Sequence, residues 1–339
     1  MNPSTNPLAP RRGPHARPAR RAVLRFGAAA ATAALWPPAR AVAGYPSRPV
    51  TIVVPSAPGG ALDLIARRLG QRLGERWNTP VVVENKAGGV GTIGTNAVVR
   101  SKPDGHTLLL INAPLVQVPW LMKLPYDPLT DLSAVAKIAD SYSMLAVHRN
   151  SPAKTLEEFV AMVKAAPGKH SFGSWGPGTS THLWGLLLSR QAGLDMVHVP
   201  YNGAAPMVNA LLGEQISCAF VDAGSSRANA ASLRFLGSIG TRRMADRPEL
   251  PLLREKGYSG FDQIGWAGLF VPAGVPRELL VHLSESIAQA MQSPELAANV
   301  TALAMVPAAM QTDEFTALVR SDHAFWGKVI RDLGVSANS

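Results

Sequence analysis

Pro49-Val50-Thr51-Ile52-Val53-Val54-Pro55-Ser56-Ala57-Pro58-Gly59-Gly60-Ala61 is where the chain declares its architecture. The first half is a β-branched run between prolines and reads as a short buried strand. The second half is a turn of small residues, and beyond Ala61 the hydrophobic period changes. Leu62, Ile65, Ala66, Leu69 and Leu73 share one face at helical spacing, with Arg67, Arg68, Gln71, Arg72 and Glu75 opposite. Pro80 to Val83 is a second strand, followed by another glycine-rich turn, Gly88 to Gly94. Strand, glycine loop, helix, strand is a βαβ unit, and it predicts a parallel sheet.

The same order returns downstream. His170 to Gly173 reads as a strand, Ser174-Trp175-Gly176-Pro177-Gly178-Thr179-Ser180-Thr181 as a loop, and His182 to Gln191 as a helix. Met196 to Pro200 is the next strand, ending in Tyr201-Asn202-Gly203. Few residues match between the halves, so this is an architectural parallel and not a sequence repeat. Between them Thr155-Leu156-Glu157-Glu158 has the capping-box pattern, opening a helix that Pro167-Gly168 closes. Ser293-Pro294-Glu295, and Thr312-Asp313 ahead of Phe315, signal two later helices.

At 339 residues the chain has length for two domains, and 47% apolar against 17% charged residues excludes a disordered chain. The single cysteine, Cys218, excludes an intramolecular disulfide framework, a multi-cysteine zinc site and a CxxC redox centre. The formal charge of +10 is misleading, because residues 1–43 hold seven arginines and no acid, which leaves +3 for residues 44–339. A body at that charge, with no basic stripe interleaved by aromatics, gives no argument for nucleic acid. Residues 1–43 read as an export signal: a basic stretch to Arg20-Arg21, an apolar run from Ala22 to Trp36, and a small-x-small site at Ala41-Val42-Ala43. Arg20-Arg21-Ala22-Val23-Leu24 follows the twin-arginine order, and a general secretory signal with two adjacent arginines is the alternative. The run is too short to span a bilayer and no cysteine follows the cleavage site, so neither membrane nor lipid anchor is expected. The mature protein should begin near Gly44, in a bacterial periplasm.

Pro58-Gly59-Gly60 entering a helix can hold an anion, because first-turn N–H groups lack helical acceptors and the helix dipole adds positive potential. A tight ligand-free turn fits the motif equally, and Asp63 in the first turn fits a purely structural role. The second loop adds hydroxyls (Ser174, Thr179, Ser180, Thr181) to glycine N–H groups at another helix start. Two such loops facing one cleft would make a ligand site at the carboxyl ends of the strands. Gly89-Val90-Gly91-Thr92-Ile93-Gly94 matches GxGxxG, but no acid ends a strand about 20 residues later, as a dinucleotide site requires. There is no GxSxG elbow, and Ser180 and His182, two apart, do not face one another on a helix. The eight histidines show no metal-ligand spacing. No catalytic residue, metal or cofactor is expected. His182 and His198 read as cap or packing residues, Trp184 and Trp266 as core. Trp175, in a loop among glycines, either stacks on a ligand or packs between lobes.

These segments together resemble the Bug-type solute-binding proteins, the extracytoplasmic components of tripartite tricarboxylate transporters. The resemblance runs from Tyr45-Pro46-Ser47-Arg48-Pro49-Val50 through Pro80-Val81-Val82-Val83-Glu84-Asn85-Lys86-Ala87-Gly88 and Pro103-Asp104-Gly105-His106-Thr107. It continues in Leu124-Pro125-Tyr126-Asp127-Pro128, Val197-His198-Val199-Pro200-Tyr201-Asn202-Gly203-Ala204-Ala205-Pro206 and Gly268-Leu269-Phe270-Val271-Pro272-Ala273-Gly274. It implies an α/β Venus-flytrap fold whose two lobes, each a mostly parallel sheet flanked by helices, close on a small carboxylate. The first lobe would comprise 44–143 and 266–339, the second 144–265. The chain would cross near Ser141–Val147 and return near Ile264–Phe270. Carried over by motif, the ligand residues are Ser56, Ala57, Pro58, Gly59, Gly60 and Asp63, then Ser174, Trp175, Gly176, Gly178, Thr179 and Ser180. Tyr201, Gly203, Ala204, Ala205 and Asp222 would complete the second lobe's wall, with Asn112 on the first. Three departures bear on the ligand. Ser56 stands where members often have Phe, Ile111-Asn112-Ala113-Pro114-Leu115-Val116 replaces a Gly/Thr/His-rich loop and so removes polar donors, and the acid after Phe220 is shifted to Asp222. A less polar site with Trp175 at its rim suggests an aromatic or hydrophobic monocarboxylate over citrate. The expectation is a monomeric, non-enzymatic periplasmic binding protein serving transporter subunits in the membrane. The rivals are a module reporting to a membrane sensor and a periplasmic enzyme exported folded.

Overall fold

The computed structural model describes residues 44–303 and 305–335, so the export signal read in residues 1–43 lies outside the described residues. The chain lays down β1 (Val50–Val54), α1 (Ala61–Trp77), β2 (Val81–Asn85), α2 (Thr92–Val99), β3 (Thr107–Asn112), α3 (Pro114–Gln117) and β4 (Leu132–Ser141). After the single residue Tyr142 come β5 (Ser143–His148), α4 (Leu156–Ala165), β6 (His170–Ser174), α5 (Ser180–Ala192) and β7 (Met196–Pro200). Then follow α6 (Ala204–Leu212), β8 (Cys218–Asp222), α7 (Ala223–Ala228) and β9 (Leu233–Ser238). The return leg is β10 (Gly265–Pro272), α8 (Arg277–Met291), α9 (Pro294–Ala302), β11 (Val306–Met310) and α10 (Thr312–Leu333).

Two sheets result, in the orders β11-β4-β10-β3-β1-β2 and β7-β6-β8-β5-β9. The βαβ expectation holds where it was read: β1 runs parallel to β2 and β3, with Ile52 opposite Val83 and Leu108, and β6 runs parallel to β7 and β8. The sheets as wholes are mixed and not mostly parallel. Antiparallel pairing enters with β10 against β3 and β4, and with β5 against β8 and β9. The cause is the double crossing. A chain that leaves one sheet through β4 and β5, and comes back through β10, must run against its neighbours. Gly265 sits opposite Ser141 in the register, so the outgoing and returning strands lie side by side.

Local signals explain the elements and their limits. The α1 stripe buries Ile65, Ala66, Leu69 and Leu73 fully against Ile52, Val54, Leu108 and Leu110. Thr155 caps α4 by accepting from Glu158 N, but the reciprocal half of the box shifts, since the Glu158 carboxylate accepts from Lys154 N and not from Thr155 N. Ser293 caps α9 with Pro294 behind it. Helix α5 starts at Ser180, two residues before the expected His182. Thr312 does not cap α10: it is the first helical residue, and its hydroxyl donates to Ala134 O of β4 at 2.6 Å. The third glycine of GxGxxG is a packing residue, because a Cβ on Gly94 would come within 2.8 Å of the Pro55 side chain. Helix α10 reaches further than a first-lobe helix should. Its 22 residues span about 33 Å, and Trp326 meets Trp184 of α5 at a centroid distance of 6.1 Å. Phe315, Trp326 and Ile330 therefore share one core with Phe172, Leu183 and Phe220 of the second sheet.

Candidate functional site

A cavity of about 410 Å³ opens where the carboxyl ends of the parallel strands face one another across the crossing. On the first-sheet side it is lined by Ala61 and Leu62 of α1, Asn112 at the end of β3, Ala113 and Pro114 opening α3, and Leu303 and Met305. On the second-sheet side lie Trp175, Thr179, Ser180, Trp184, Ala204, Ala205, Asp222 and Ser225, and the crossing strands contribute Ser141, Ser143, Gly265 and Trp266. Among the described residues the lining contains no lysine, arginine or histidine, and Asp222 is its single ionisable side chain.

Apart from the four-residue α3, whose N-cap Ala113 is likewise without a side-chain bond but whose first residue is Pro114, three helices begin on this cavity with no side-chain hydrogen bond at their N-caps: α1 at Gly60, α5 at Thr179 and α6 at Gly203. An uncapped start alone singles out nothing, since α8 and α10 lack a side-chain cap as well. What distinguishes these three is that the first residues after the cap, Ala61–Leu62, Ser180 and Ala204–Ala205, form the cavity wall. Their free N–H groups and positive dipole ends suit a carboxylate without any cation. The start of α7 is already filled, because the Asp222 carboxylate accepts from Gly224 N at 3.0 Å, Ser225 N at 2.9 Å and the Ser225 hydroxyl at 2.8 Å.

The first loop, Ala57 to Gly60, is exposed beside the α1 wall without itself lining the cavity. Asp63 is buried behind it and takes the structural role. Its Oδ2 accepts from Gly59 N at 2.9 Å and from Arg67 Nε at 3.1 Å, which fixes the turn. Burial opposes ionisation of Asp63, yet the Arg67 and Gly59 bonds outweigh it and hold its carboxyl below the ordinary value. Ser56 offers its carbonyl to the Asn85 amide.

The hydroxyls of the second loop are spent inside the protein and are not free donors. Ser174 is fully buried and bonds His198 Nε2 at 2.7 Å. The Thr179 hydroxyl donates to Gly176 O at 2.7 Å, and Thr181 Oγ1 accepts from Trp175 N. Ser180 exchanges hydrogen bonds with Gln117 across the lobes, at 2.8 and 3.1 Å. Gly178 needs to be glycine: its φ is +75°, and a Cβ would lie 2.4 Å from Leu121 Cδ1. His182 Nδ1 accepts from Gly178 N, and its ring stacks on His198 at 4.0 Å. Burial, with a lesser push from His198, lowers His182 to about 4, so the ring is neutral and structural. The N–H groups of Trp175, Gly176, Gly178 and Thr179 are bonded as well, so what this loop can offer a ligand is the N–H groups at the start of α5, from Ser180 on, and the Trp175 ring.

Of the residues expected from sequence, Asn112, Trp175, Thr179, Ser180, Ala204, Ala205 and Asp222 meet in the cavity wall. Ser56, Ala57, Pro58, Gly59, Gly60, Asp63, Ser174, Gly176, Gly178, Tyr201 and Gly203 stand behind or beside it. Asn112 corrects one inference, since its exposed amide restores a polar group to a segment read as having lost them. Trp184 and Trp266 are core residues, 2% and 1% exposed, yet both also form the wall. Ser141, Ser143, Leu303 and Met305 had no signal in the sequence. Among the described residues no group of three or more His, Cys, Asp or Glu side chains converges as a metal site, and no helix is long and apolar enough to cross a membrane.

Residues 65–335 match the family described as tripartite tricarboxylate transporter family receptor. The chain belongs to that family. Among curated relatives, the UPF0065 protein in the tcbD–tcbE intergenic region of Pseudomonas sp. (strain P51) is 34% identical over 87% of this chain and 89% of its own length. Protein BugT of Bordetella pertussis is 31% identical over 86% and 90%. Among solved structures, the periplasmic binding protein BugD is 30% identical with a TM-score of 0.72, over 86% of this chain and 99% of that one. Rpa4515 of R. palustris, solved with adipate, is 26% identical with a TM-score of 0.75 over 86% and 99%. MatC of Rhodopseudomonas palustris, with bound malate, is 27% identical with a TM-score of 0.70 over 84% and 100%. The receptor thus shares its two-lobed architecture with periplasmic solute-binding proteins.

Proposed function

We propose that this receptor captures a small monocarboxylate with an aromatic or hydrophobic body and delivers it to membrane subunits of a tripartite tricarboxylate-type transporter. The observation that carries the reading is the wall itself: three uncapped helix starts, three tryptophans, and no cation. The carboxylate would lie against the N–H groups of α1, α5 and α6, and the body among Trp175, Trp184 and Trp266. A second or third carboxylate would find neutral side chains such as Asn112, Ser141 and Ser143, or Asp222, and no cation. The adipate and malate held by two relatives support the carboxylate class, and the tryptophan wall argues for a body less polar than either. A volume of about 410 Å³ is within the range of small-ligand sites. Affinity would come from contacts made to both lobes, since a ligand touching one lobe cannot favour the closed state. The protein would act in the periplasm after cleavage near Ala43, exported through the twin-arginine order Arg20-Arg21.

The test is a melting-temperature series on Gly44–Ser339 with benzoate, aliphatic monocarboxylates, malate, adipate and citrate. A ligand at 100 times its dissociation constant stabilises by about 2.7 kcal/mol, which raises Tm by several degrees. Rises with benzoate and its analogues, and none with citrate, are expected. Rises confined to the di- and tricarboxylates would overturn the monocarboxylate reading. Silence throughout, before and after denaturation and refolding to strip any co-purified ligand, would overturn the carboxylate reading altogether.

A further inference from the structure

We infer that Asp322 of α10 is a positioning residue for the ligand cavity: it holds the Trp266 indole in the wall, and the wall loosens when Asp322 takes up a proton. The inference rests on the reading of that cavity as the ligand site. Trp266 Nε1 donates to Asp322 Oδ2 at 2.8 Å, and each residue is 1% exposed. Trp266 follows Gly265, where the returning strand lies opposite Ser141, so it sits at the crossing between lobes. It also lines a second cavity, of about 400 Å³, and is the one residue common to the two linings. Trp266 therefore stands between the ligand cavity and a space behind the crossing. Phe315 fixes its other edge, at 5.2 Å and 86°.

Asp322 is costly where it stands. Its second oxygen is buried with no hydrogen-bond partner, although a neutral amide would serve as an acceptor for the indole at lower desolvation cost. The charged and titratable groups around it are Lys137 and Asp140 of β4, paired with each other at 2.7 Å, and Tyr142, Arg242 and Asp262 across the second cavity. Burial raises the Asp322 carboxyl to about 6, against a smaller pull downward from the Trp266 bond and from Lys137. An ionised acceptor holds an N–H more strongly than a neutral acid does. The indole is thus gripped above that pH and held more loosely below it.

The experiment has two readouts on Gly44–Ser339. The first, free of ligand, is the indole ¹⁵N–¹H resonance of Trp266, assigned by its loss in Trp266→Phe and followed from pH 7.5 to about 5.5. It should shift with a single midpoint in the wild type and stay still in Asp322→Asn. The second is the dissociation constant for benzoate over the same range, where the probe remains ionised. Wild-type affinity should weaken about fivefold on acidification. Asp322→Asn, which keeps an acceptor, should be flat and close to the wild-type acid value, and Asp322→Leu should be weaker at both ends. His182 and His198 are present in every variant, so their titration cancels in the comparison. Equal pH slopes in wild type and Asp322→Asn would overturn the inference, and so would an unmoved resonance. A gain in benzoate affinity on acidification would also overturn it, because that is what plain charge repulsion between Asp322 and an anion predicts. A titrating resonance without benzoate binding would defeat the ligand reading and leave the coupling of Asp322 to Trp266 standing.

Discussion

Asp322→Asn should make the receptor more stable, and by an amount that depends on pH in a stated direction. The native carboxyl titrates at about 6 against 3.8 for an ordinary aspartate, mainly because burial disfavours its charge. A shift of about two pK units corresponds to about 3 kcal/mol. The sign follows from proton linkage. Above pH 6 both states are ionised and the fold carries the whole penalty. Between about 6 and 4 the native state binds the proton that the unfolded chain does not, so the penalty shrinks as pH falls. Below both values it vanishes. Asparagine keeps an oxygen for the Trp266 N–H and never ionises. Its advantage should approach about 3 kcal/mol at pH 8 and fall to about half of that at pH 5. At this chain length the difference between the two conditions is about 3 °C in Tm. Calorimetric melting of both proteins at the two pH values measures it directly. A variant advantage equal at pH 5 and pH 8, or a variant less stable than wild type at pH 8, would show that Lys137 stabilises the ionised carboxylate and would refute the reasoning.

Three further predictions concern the cavity. Trp175→Ala should weaken benzoate binding about tenfold in titration calorimetry, as the loss of one aromatic wall implies, and unchanged affinity would remove Trp175 from the site. Gly60→Asp should fold normally, because Gly60 has φ −73° and an added Cβ meets nothing closer than 3.5 Å. Its carboxylate would then occupy the α1 start as Asp222 occupies that of α7, so Tm should hold or rise while benzoate binding is lost; retained binding would exclude α1 as the anion site. Asp222→Asn keeps an N-cap of equal quality and removes the one charge in the wall, so malate or adipate affinity should improve about fivefold or more by calorimetry, with benzoate little changed.

The fold was legible because its signals are local. The run Val50 to Val54, the glycine pair, and the stripe Leu62, Ile65, Leu69, Leu73 are neighbours in sequence as well as in space. The sheets' mixed character was not legible, since it depends on β10 returning beside β4 across more than a hundred residues of chain. The site shows the same division. The helix starts after Gly60 and, to within two residues, after Thr179 could be read from glycine and hydroxyl loops, whereas Tyr201-Asn202-Gly203 reads as the end of a strand and not as the start of α6. Which donors are free could not, because a hydroxyl shows itself in sequence but its partner does not: Ser174 is taken by a residue 24 positions on, and Ser180 by one 63 positions back. Trp184 and Trp266 were read as core, and they are core. Periodicity identifies the face a residue buries, but not the patch of that face left open as a cavity. Leu303 and Met305 reach the wall because α9 and β11 deliver them there, with β11 pairing against β4, a placement no local pattern encodes.

For the ligand proposed above, these constraints would set its orientation. Gly59 N–H is spent on Asp63, so the α1 start offers what lies beyond it, the N–H groups of Ala61 and Leu62 in the wall. The α7 start is closed by Asp222, which repels an anion at that corner. On the proposed reading the carboxylate would be left with α1 on one lobe and α5 and α6 on the other. That is an arrangement in which a single small group touches both lobes and favours their closure. The same wall holds three tryptophans, two from the second lobe and one from the crossing. A ligand body long enough to reach Trp266 would sense the crossing strands themselves. One that ended at the carboxylate would not. Selectivity for the body and the stability of the closed state would then rest on the same indole, which is why a costly carboxylate behind Trp266 can be maintained: its effect is felt where the two lobes meet.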